Sequence, residues 1–196
     1  MCTMFVMSII DEKDRKIIAI LQREGKATLS KIAEEVGLSA MGVKKRLSKL
    51  EEKGLKLKAL LDVEKLKIIT AIVAMEVESS EALEKIIEKF KDCPRIIKFF
   101  VTTGGYNLFA LIFAEDFYSL ESVSLEKCSL RAQPGIRRFE IYPVQEMYYD
   151  SYLDVKVVAD KNREIAPCGV HCGSCRRYEQ NRCLGCPATK FYKGML

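Results

Sequence analysis

The stretch 28–54, TLSKIAEEVGLSAMGVKKRLSKLEEKG, decides the fold because its pattern predicts two short helices joined by a tight turn. Thr28 can cap the first helix, and Gly37 permits the left-handed residue that often ends one. Ser39 can cap the second helix, which Gly54 ends. Apolar residues recur on one side of each helix, at Ile32, Ala33 and Val36 and then at Val43, Leu47 and Leu50. This arrangement is typical of a helix-turn-helix, whose second helix enters the DNA major groove.

Positive charge is concentrated on and just after this second helix. The chain has 32 Lys and Arg residues against 27 Asp and Glu residues, a net charge of +5. The local cations are Lys44, Lys45, Arg46, Lys49, Lys53, Lys56 and Lys58, and only Glu51 and Glu52 oppose them. Such a cluster favours a phosphate-contacting surface. The alternative is an ordinary helical hairpin with a solvated lysine face.

The composition indicates a globular protein that is not secreted. Hydrophobic residues form 48% of the 196 positions, which is enough for one large domain or two small ones. The apolar start MCTMFVMSII lacks a basic flank and a cleavage site, and no apolar run reaches the ~20 residues of a membrane span. Eight cysteines without a secretion signal favour a reducing compartment. We therefore expect a cytoplasmic protein with no membrane partner.

The pattern on either side of the motif predicts an α+β protein. Asp11 can cap a first helix that ends near Gly25. From Ile68 the order is strand, helix, two strands around Gly104-Gly105, helix and strand, as in a ferredoxin-like βαββαβ domain. We expect a winged helix-turn-helix domain at 9–60, a ferredoxin-like domain at 66–149 and a small Cys-rich module at 165–196.

Four segments in this order resemble the Lrp/AsnC (feast/famine) transcription regulators: DEKDRKII, AEEVGLSAMGVKKRLSKLEEKG, TTGGYN and QPGIRRFE. The resemblance covers residues 9–149. It implies a winged helix-turn-helix followed by a ligand-sensing RAM domain that forms a homodimer through its sheet. It also implies further assembly to a tetramer or octamer, and an amino-acid effector. Because the family begins only a few residues before the acidic dipeptide, the resemblance implies Met7 as the start.

The resemblance also implies which residues contact double-stranded DNA. Base-reading positions correspond to the start of the second helix, at Ser39, Ala40, Met41, Lys44 and Lys45. Lys49 is expected at a phosphate, which positions the protein without reading sequence. Arg46 is expected either at the DNA backbone or in an internal ion pair.

The segment Thr103, Gly104, Gly105, Tyr106 and Asn107 corresponds to the effector loop of the family. Glycine amides in such a loop can hold a carboxylate. This chain has Asn107 where the family usually has an aspartate, and a neutral amide pairs less well with an ammonium group. The alternative is a hairpin turn at an oligomer interface with no ligand.

Five cysteines lie beyond the two-domain pattern, at Cys168, Cys172, Cys175, Cys183 and Cys186. Two Cys-x2-Cys pairs are typical of tetrahedral zinc, so the last four are predicted to bind one zinc ion. Cys168 or His171 is a possible substitute ligand. An iron–sulfur cluster is the alternative, supported by the Cys186-Pro187 pair. Since the two-domain pattern is complete near Tyr149, we expect the fold to survive removal of residues 167–196.

Two other functions fit the same architecture. Some proteins with these two domains are sirohaem decarboxylases, but His171 is the one histidine of this chain. The sequence also has no Ser/His/Asp or paired-carboxylate constellation, so we expect no enzyme. A metal-binding interaction protein without DNA binding would leave the basic helix face unused.

Overall fold

The computed structural model describes residues 10–196 and divides the chain into two units, one ending at Ala59 and one formed by Leu60–Leu196. The possible start at Met7 lies outside the described residues. In the part of the chain that is described, no helix combines the length and the apolar character needed to cross a membrane.

The first unit contains three helices, α1 (Glu12–Arg23), α2 (Leu29–Val36) and α3 (Ala40–Glu52). All three predicted N-caps form. Asp11 accepts from the amide of Asp14, Thr28 from that of Lys31, and Ser39 from that of Gly42. Gly37 is left-handed, with φ 65°, so α2 ends where the sequence predicted and the turn into α3 is tight.

The core of this unit is built from the apolar side of each helix. It consists of Ile17, Ile20, Leu21, Ile32, Ala33, Val36, Val43 and Leu50. Ile17 and Val43 are fully buried, which ties α1 to α3. The opposite side of α3 is left at the surface.

The second unit contains a four-stranded antiparallel sheet with the strand order β3-β4-β2-β5. Its strands are β2 (Ile69–Val77), β3 (Ile96–Val101), β4 (Leu108–Ala114) and β5 (Ile136–Pro143), and its helices are α4 (Ser80–Phe90) and α5 (Phe117–Leu125). The chain order β2-α4-β3-β4-α5-β5 confirms the predicted ferredoxin-like fold. Helix α5 ends at Leu125, where the backbone becomes extended at Glu126.

The two faces of this sheet differ. The inner face packs against the helices through Ala71, Val73, Met75, Leu108, Ala110 and Ile112. Ile72 and Tyr142 are register partners on the outer face, as are Phe100 and Phe109. Ile72, Phe100 and Tyr142 are 43%, 48% and 51% exposed, so the outer face carries a group of exposed apolar side chains.

The second unit begins with β1 (Leu61–Asp62), which pairs with β6 (Tyr152–Leu153). Ser151 Oγ donates to Asp62 Oδ1 at 2.9 Å beside this pair. A small second core lies next to it, formed by Val63, Ile68, Phe113, Val155 and Leu196. The beginning and the end of the second unit are therefore joined.

The Cys-rich tail has one 3-10 turn at Cys172–Ser174 and one short helix, α6 (Arg176–Glu179). Ala166, Cys168 and Cys172 are buried in the same cluster as the inner face of the sheet. This packing disagrees with the expectation that residues 167–196 are dispensable. The reason is that the inner layer is completed by the tail, which periodicity within 66–149 could not reveal.

Candidate functional site

The predicted DNA-reading residues lie together at the surface of α3. Ser39, Met41, Lys44, Lys45 and Lys49 are exposed, and Met41 is 72% exposed despite its apolar side chain. Ala40 is half-buried. The structure therefore brings together one apolar, one hydroxyl and three ammonium groups on the helix that a helix-turn-helix inserts into DNA.

The three lysines of this surface are available for an external anion. Among residues 10–196, Lys44, Lys45 and Lys49 form no ion pair within the protein. Lys44 and Lys45 lie in one turn of the exposed helix and Lys49 in the next, and unpaired ammonium groups at such positions can contact DNA phosphates and base edges.

Arg46 faces the other way and forms the internal ion pair. Its Nη1 donates to Asp11 Oδ2 at 2.5 Å and to Asp14 Oδ1 at 2.7 Å. The amide of Asp14 and the Arg46 guanidinium together hold the pKa of Asp11 below its usual range. Of the two roles expected for Arg46, the structure has the one that fixes α3 against the start of α1.

The outer sheet face is the second candidate surface. Phe109 and Leu111 of β4 lie between Phe100 of β3 and Ile72 of β2. Glu140 and Tyr142 of β5 border this strip, and Glu140 accepts a hydrogen bond from the hydroxyl of Tyr142. A contiguous apolar strip with a polar rim is the composition of a protein–protein interface.

The predicted effector loop divides into an exposed part and an anchored part. Thr103, Gly104 and Gly105 are exposed. The Tyr106 hydroxyl, in contrast, donates to Glu140. The tip of the loop is therefore open, whereas Tyr106 is already bound to β5.

Asn107 is anchored at both ends of its amide. Its Oδ1 accepts from the amide of Val77 at 2.8 Å, and its Nδ2 donates to the carbonyl of Val77 at 2.8 Å. An aspartate has no donor for that carbonyl. The departure from the family pattern therefore has a structural explanation, and the Asn107 side chain is occupied within the protein.

Most of the tail cysteines line a cavity of about 60 Å³, but one does not. Cys168, Cys172, Cys183 and Cys186 line it, together with Cys93 and Cys128 from the ferredoxin-like domain, whereas Cys175 is not a lining residue. His171 is exposed, and its Nδ1 accepts from the amide of Ser174 at 3.1 Å. The predicted zinc set Cys172, Cys175, Cys183 and Cys186 is therefore only partly brought together.

Sequence reasoning missed Cys93 and Cys128 because each stands alone, outside any Cys-x2-Cys motif. One weak signal was present: Cys93 lies three residues after Phe90, the end of α4, and Cys128 three residues after Leu125, the end of α5. The two halves of a ferredoxin-like domain repeat the same strand–helix unit, so equivalent positions lie on one side of the sheet.

Burial raises the pKa of most of the thiols that line the cavity. Burial raises the pKa of Cys168 and of Cys172, while backbone groups at Val170 and Cys186 act in the opposite direction. Burial also raises the pKa of Cys186 to about 12. In residues 10–196, no three Cys, His, Asp or Glu side chains are gathered tightly enough to form a ready-made site for one metal ion.

A buried ion pair connects the cavity wall to the sheet. Arg95 Nη1 donates to Glu115 Oε2 at 2.7 Å, and Arg95 Nη2 donates to the carbonyl of Gly185 at 2.7 Å. The side chains of Arg95 and Glu115 are each 6% exposed. Glu115 also accepts from the hydroxyl of Tyr192. The one guanidinium that lines the cavity thus already has a carboxylate partner.

Comparison with known proteins identifies both units. Residues 10–55 match the family described as winged helix-turn-helix DNA-binding, and residues 70–153 match the Lrp/AsnC ligand binding domain. The HTH-type transcriptional regulator FL11 of Pyrococcus horikoshii is 34% identical over 102 residues, which cover 50% of this chain and 67% of that protein. Regulatory protein AsnC of Haemophilus influenzae is 25% identical over 127 residues, which cover 63% and 85%.

Solved structures show the same fold. A complex of the transcriptional regulator NMB0573 with L-Met, from Neisseria meningitidis, superposes with a TM-score of 0.65 at 23% identity and covers 72% of this chain and 94% of that one. The structure of AsnC from E. coli gives 0.61 at 19% identity, with 71% and 94% covered. In each case the aligned part of this chain is about as long as the whole regulator.

Proposed function

Since the chain belongs to the Lrp/AsnC family of DNA-binding transcriptional regulators, we propose that it reads duplex DNA as a symmetric homodimer through the exposed face of α3. The contact residues are Ser39, Ala40, Met41, Lys44, Lys45 and Lys49. The observation that carries this proposal is that all three lysines are exposed and, within the described chain, free of ion pairs. Ser39 and Met41 offer a hydroxyl and an apolar contact beside them.

Family membership also decides between the other functions considered. The matched relatives are transcriptional regulators, so the chain is not an enzyme of the decarboxylase type. The DNA-free alternative loses its basis, because the basic helix belongs to a matched DNA-binding domain.

We propose that the dimer forms through the outer sheet face. Its support is an apolar strip in which Ile72, Phe100 and Tyr142 are exposed and the half-buried Phe109 and Leu111 lie between them, since a contiguous apolar patch of this kind is typical of an interaction surface. A two-fold symmetric dimer carries two copies of α3, one for each half-site of a duplex. Further assembly to a tetramer or octamer is part of the same proposal.

Lys44 and Lys45 test the DNA proposal. Changing either to Ala should cost about 1–3 kcal/mol of binding free energy if its ammonium group contacts a base edge. Affinity for the native site should also fall steeply with salt, because lysines release counterions from phosphates. Fluorescence anisotropy with promoter and scrambled duplexes measures both effects.

Lys85, an exposed lysine of α4, is the matched control, and Lys85→Ala should leave the affinity unchanged. Equal affinity for every duplex, or equal effects of all three substitutions, would contradict reading by α3.

An amino-acid effector is proposed at the tip of the loop. The exposed Thr103, Gly104 and Gly105 could hold a carboxylate through their amides. Tyr106 and Asn107 would act only as anchors, since Glu140 and Val77 already bind their side chains. Isothermal titration with single amino acids tests this proposal, and absence of binding by all of them would leave the turn as an interface element.

The Cys-rich tail is proposed to hold a thiophilic metal centre, with zinc and an iron–sulfur cluster as the candidates. Its support is the convergence of Cys168, Cys172, Cys183 and Cys186 on one buried cavity. Thiolates select zinc, Cu(I) and iron–sulfur centres over hard cations.

A further inference from the structure

The thiol-lined cavity is assembled from three separate parts of the second unit. Cys93 lies in the turn between α4 and β3, Cys128 follows α5, and the other four lining cysteines belong to the tail. The rest of the wall is mainly apolar, with Phe90, Ile96, Ile112, Val123 and Leu130. Buried cysteine is common as a small hydrophobe, but six thiols facing one cavity are more than core packing requires.

We infer that this cavity holds an iron–sulfur cluster ligated by Cys93 of the ferredoxin-like domain together with Cys168, Cys172 and Cys186 of the tail. The inference deepens the proposed metal centre, on which it rests, by naming the cofactor and by adding a ligand from outside the tail. It does not depend on DNA binding.

The size of the cavity favours a cluster over one zinc ion. Zinc–sulfur bonds of about 2.3 Å bring four tetrahedral thiolates to within roughly 3.8 Å of one another. Here six free thiols line a space of about 60 Å³. One water-sized sphere needs only about 10–15 Å³ by the same measure, so the space accommodates several atoms. A cluster fills it with iron and sulfide and keeps its four cysteines further apart than one ion does.

Two of the six lining thiols are assigned other roles. Cys128 Sγ lies 4.0 Å from the carbonyl of Ser122 and can donate its proton there. Cys183 accepts from the amide of Gly185 at 3.4 Å and lies outside the core cluster. The four that remain are in or against the core cluster, at Cys93, Cys168, Cys172 and Cys186.

Backbone groups also contact three of the four remaining thiols. Backbone groups at Arg95, Val170 and Ala188 hydrogen-bond to Cys93, Cys168 and Cys186. Hydrogen bonds to the ligating sulfurs tune the potential of iron–sulfur clusters.

Charge balance requires a cationic centre. Four thiolates in an apolar cavity would be costly on their own, and Arg95 already pairs with Glu115. On cluster assembly each ligating thiol releases one proton to solvent and forms one iron–sulfur bond. The cluster would then fix the tail to the turn after α4, and so to the inner layer of the sheet.

The test uses the full chain, purified without oxygen and supplied with sulfide and with ferrous and ferric iron in equal amounts, so that assembly of a four-iron cluster needs no further oxidant. We expect iron and acid-labile sulfide in equal amounts, with a broad visible absorption that oxygen bleaches. One zinc per chain with no visible absorption would overturn the cluster while retaining a metal centre in the proposed function. No bound metal of either kind would overturn both.

Cys93→Ser and Cys175→Ser form the decisive pair of variants. Cys93 lies outside the tail but lines the cavity, whereas Cys175 lies in the tail but does not line it. We expect Cys93→Ser to lose most of the bound iron and the visible absorption, and Cys175→Ser to retain both. The reverse result would mean that all the ligands belong to the tail, and it would contradict the assignment of Cys93 as a ligand.

Loss of iron through misfolding must be separated from loss of a ligand. Circular dichroism of Cys93→Ser should match the apo form of the natural chain. If that variant does not fold, Cys186→Ser supplies the same comparison from the tail side. Retention of the full cluster by a folded Cys186→Ser variant would also contradict the assignment.

Discussion

At the scale of single residues, Asn107 shows how one side chain can stabilise the fold instead of binding a ligand. Its amide binds both polar groups of Val77, so it joins the end of the loop to β2. The sequence could show that Asn107 departs from the family pattern. It could not show the reason, because Val77 is 30 residues away in the chain.

Asn107→Asp should therefore destabilise the second unit. The carboxylate cannot donate to the carbonyl of Val77 and places negative charge beside it, which should cost about 1–3 kcal/mol. Urea unfolding measures the loss. Asn162→Asp, at an exposed position, should change the free energy of unfolding by less than about 0.5 kcal/mol. Equal effects of the two substitutions would contradict the role given to Asn107.

Asp11 predicts a pH dependence for the first unit. The amide of Asp14 and the Arg46 guanidinium lower its pKa in the folded state below the ordinary 3.8. A group with a lowered folded pKa stabilises the protein above its unfolded pKa. That contribution is lost as the pH falls through the lowered value. Asp11→Asn should therefore be less stable than the natural chain at neutral pH, with the difference vanishing in acid.

Thermal unfolding of the two chains between neutral pH and pH 2 measures this convergence. Glu34→Gln, on the exposed side of α2, is the control and should show no convergence. A difference between Asp11→Asn and the natural chain that persists in strong acid would assign the effect to packing rather than to charge.

At the scale of helices and strands, the sequence predicted the features that depend on neighbouring residues, such as where α2 and α3 begin. Thr28, Gly37 and Ser39 all occupy the cap positions that their side chains or backbone freedom suggested. The position where α5 ends could not be predicted in this way. The hydroxyls of Ser122 and Ser124 donate to the carbonyls of Tyr118 and Leu120 within that helix. Serine hydroxyls in a helix compete with the backbone hydrogen bonds in this way, and the pattern of apolar residues gives no sign of this competition.

Gly135, just before β5, allows the turn at this position to pack closely against α4. Its φ is +86°, and an added Cβ would lie 2.7 Å from Cβ of Ala82 on α4. Gly135→Ala should therefore cost at least about 2 kcal/mol, since left-handed backbone and steric overlap both oppose it. Gly105→Ala is the matched control, because nothing lies within 4 Å of its added Cβ. Chemical denaturation of both variants compares them, and a neutral Gly135→Ala would contradict close packing of this turn against α4.

At the scale of the whole molecule, the two-domain order was predictable and the place of the tail was not. The Cys-x2-Cys pairs predicted metal chemistry from spacing alone, and three of their four cysteines, Cys172, Cys183 and Cys186, line a common cavity. Burial of Cys168 and Cys172 against the sheet is a long-range contact that periodicity cannot report. Cys93 and Cys128 were invisible for the same reason.

Removal of residues 167–196 should therefore unfold or aggregate the second unit. The truncation exposes the cluster that Cys168 and Cys172 help to cover and leaves Arg95 without its contact to Gly185. Circular dichroism should show loss of sheet signal with the helices of the first unit retained, and light scattering should show aggregates. A monodisperse truncated protein with natural sheet content would instead show that the second unit folds without residues 167–196.

The pairing of β1 with β6 has a consequence for the kinetics of folding. It joins Leu61 to Leu153, so the second unit closes only after its whole intervening chain has been brought together. Contacts between distant residues slow folding, and such topologies fold in roughly milliseconds to seconds, whereas small helical domains fold in microseconds to milliseconds. The first unit is also synthesised first. A newly made chain should thus pass through an interval in which its basic helix is complete but the outer face of its sheet does not yet exist.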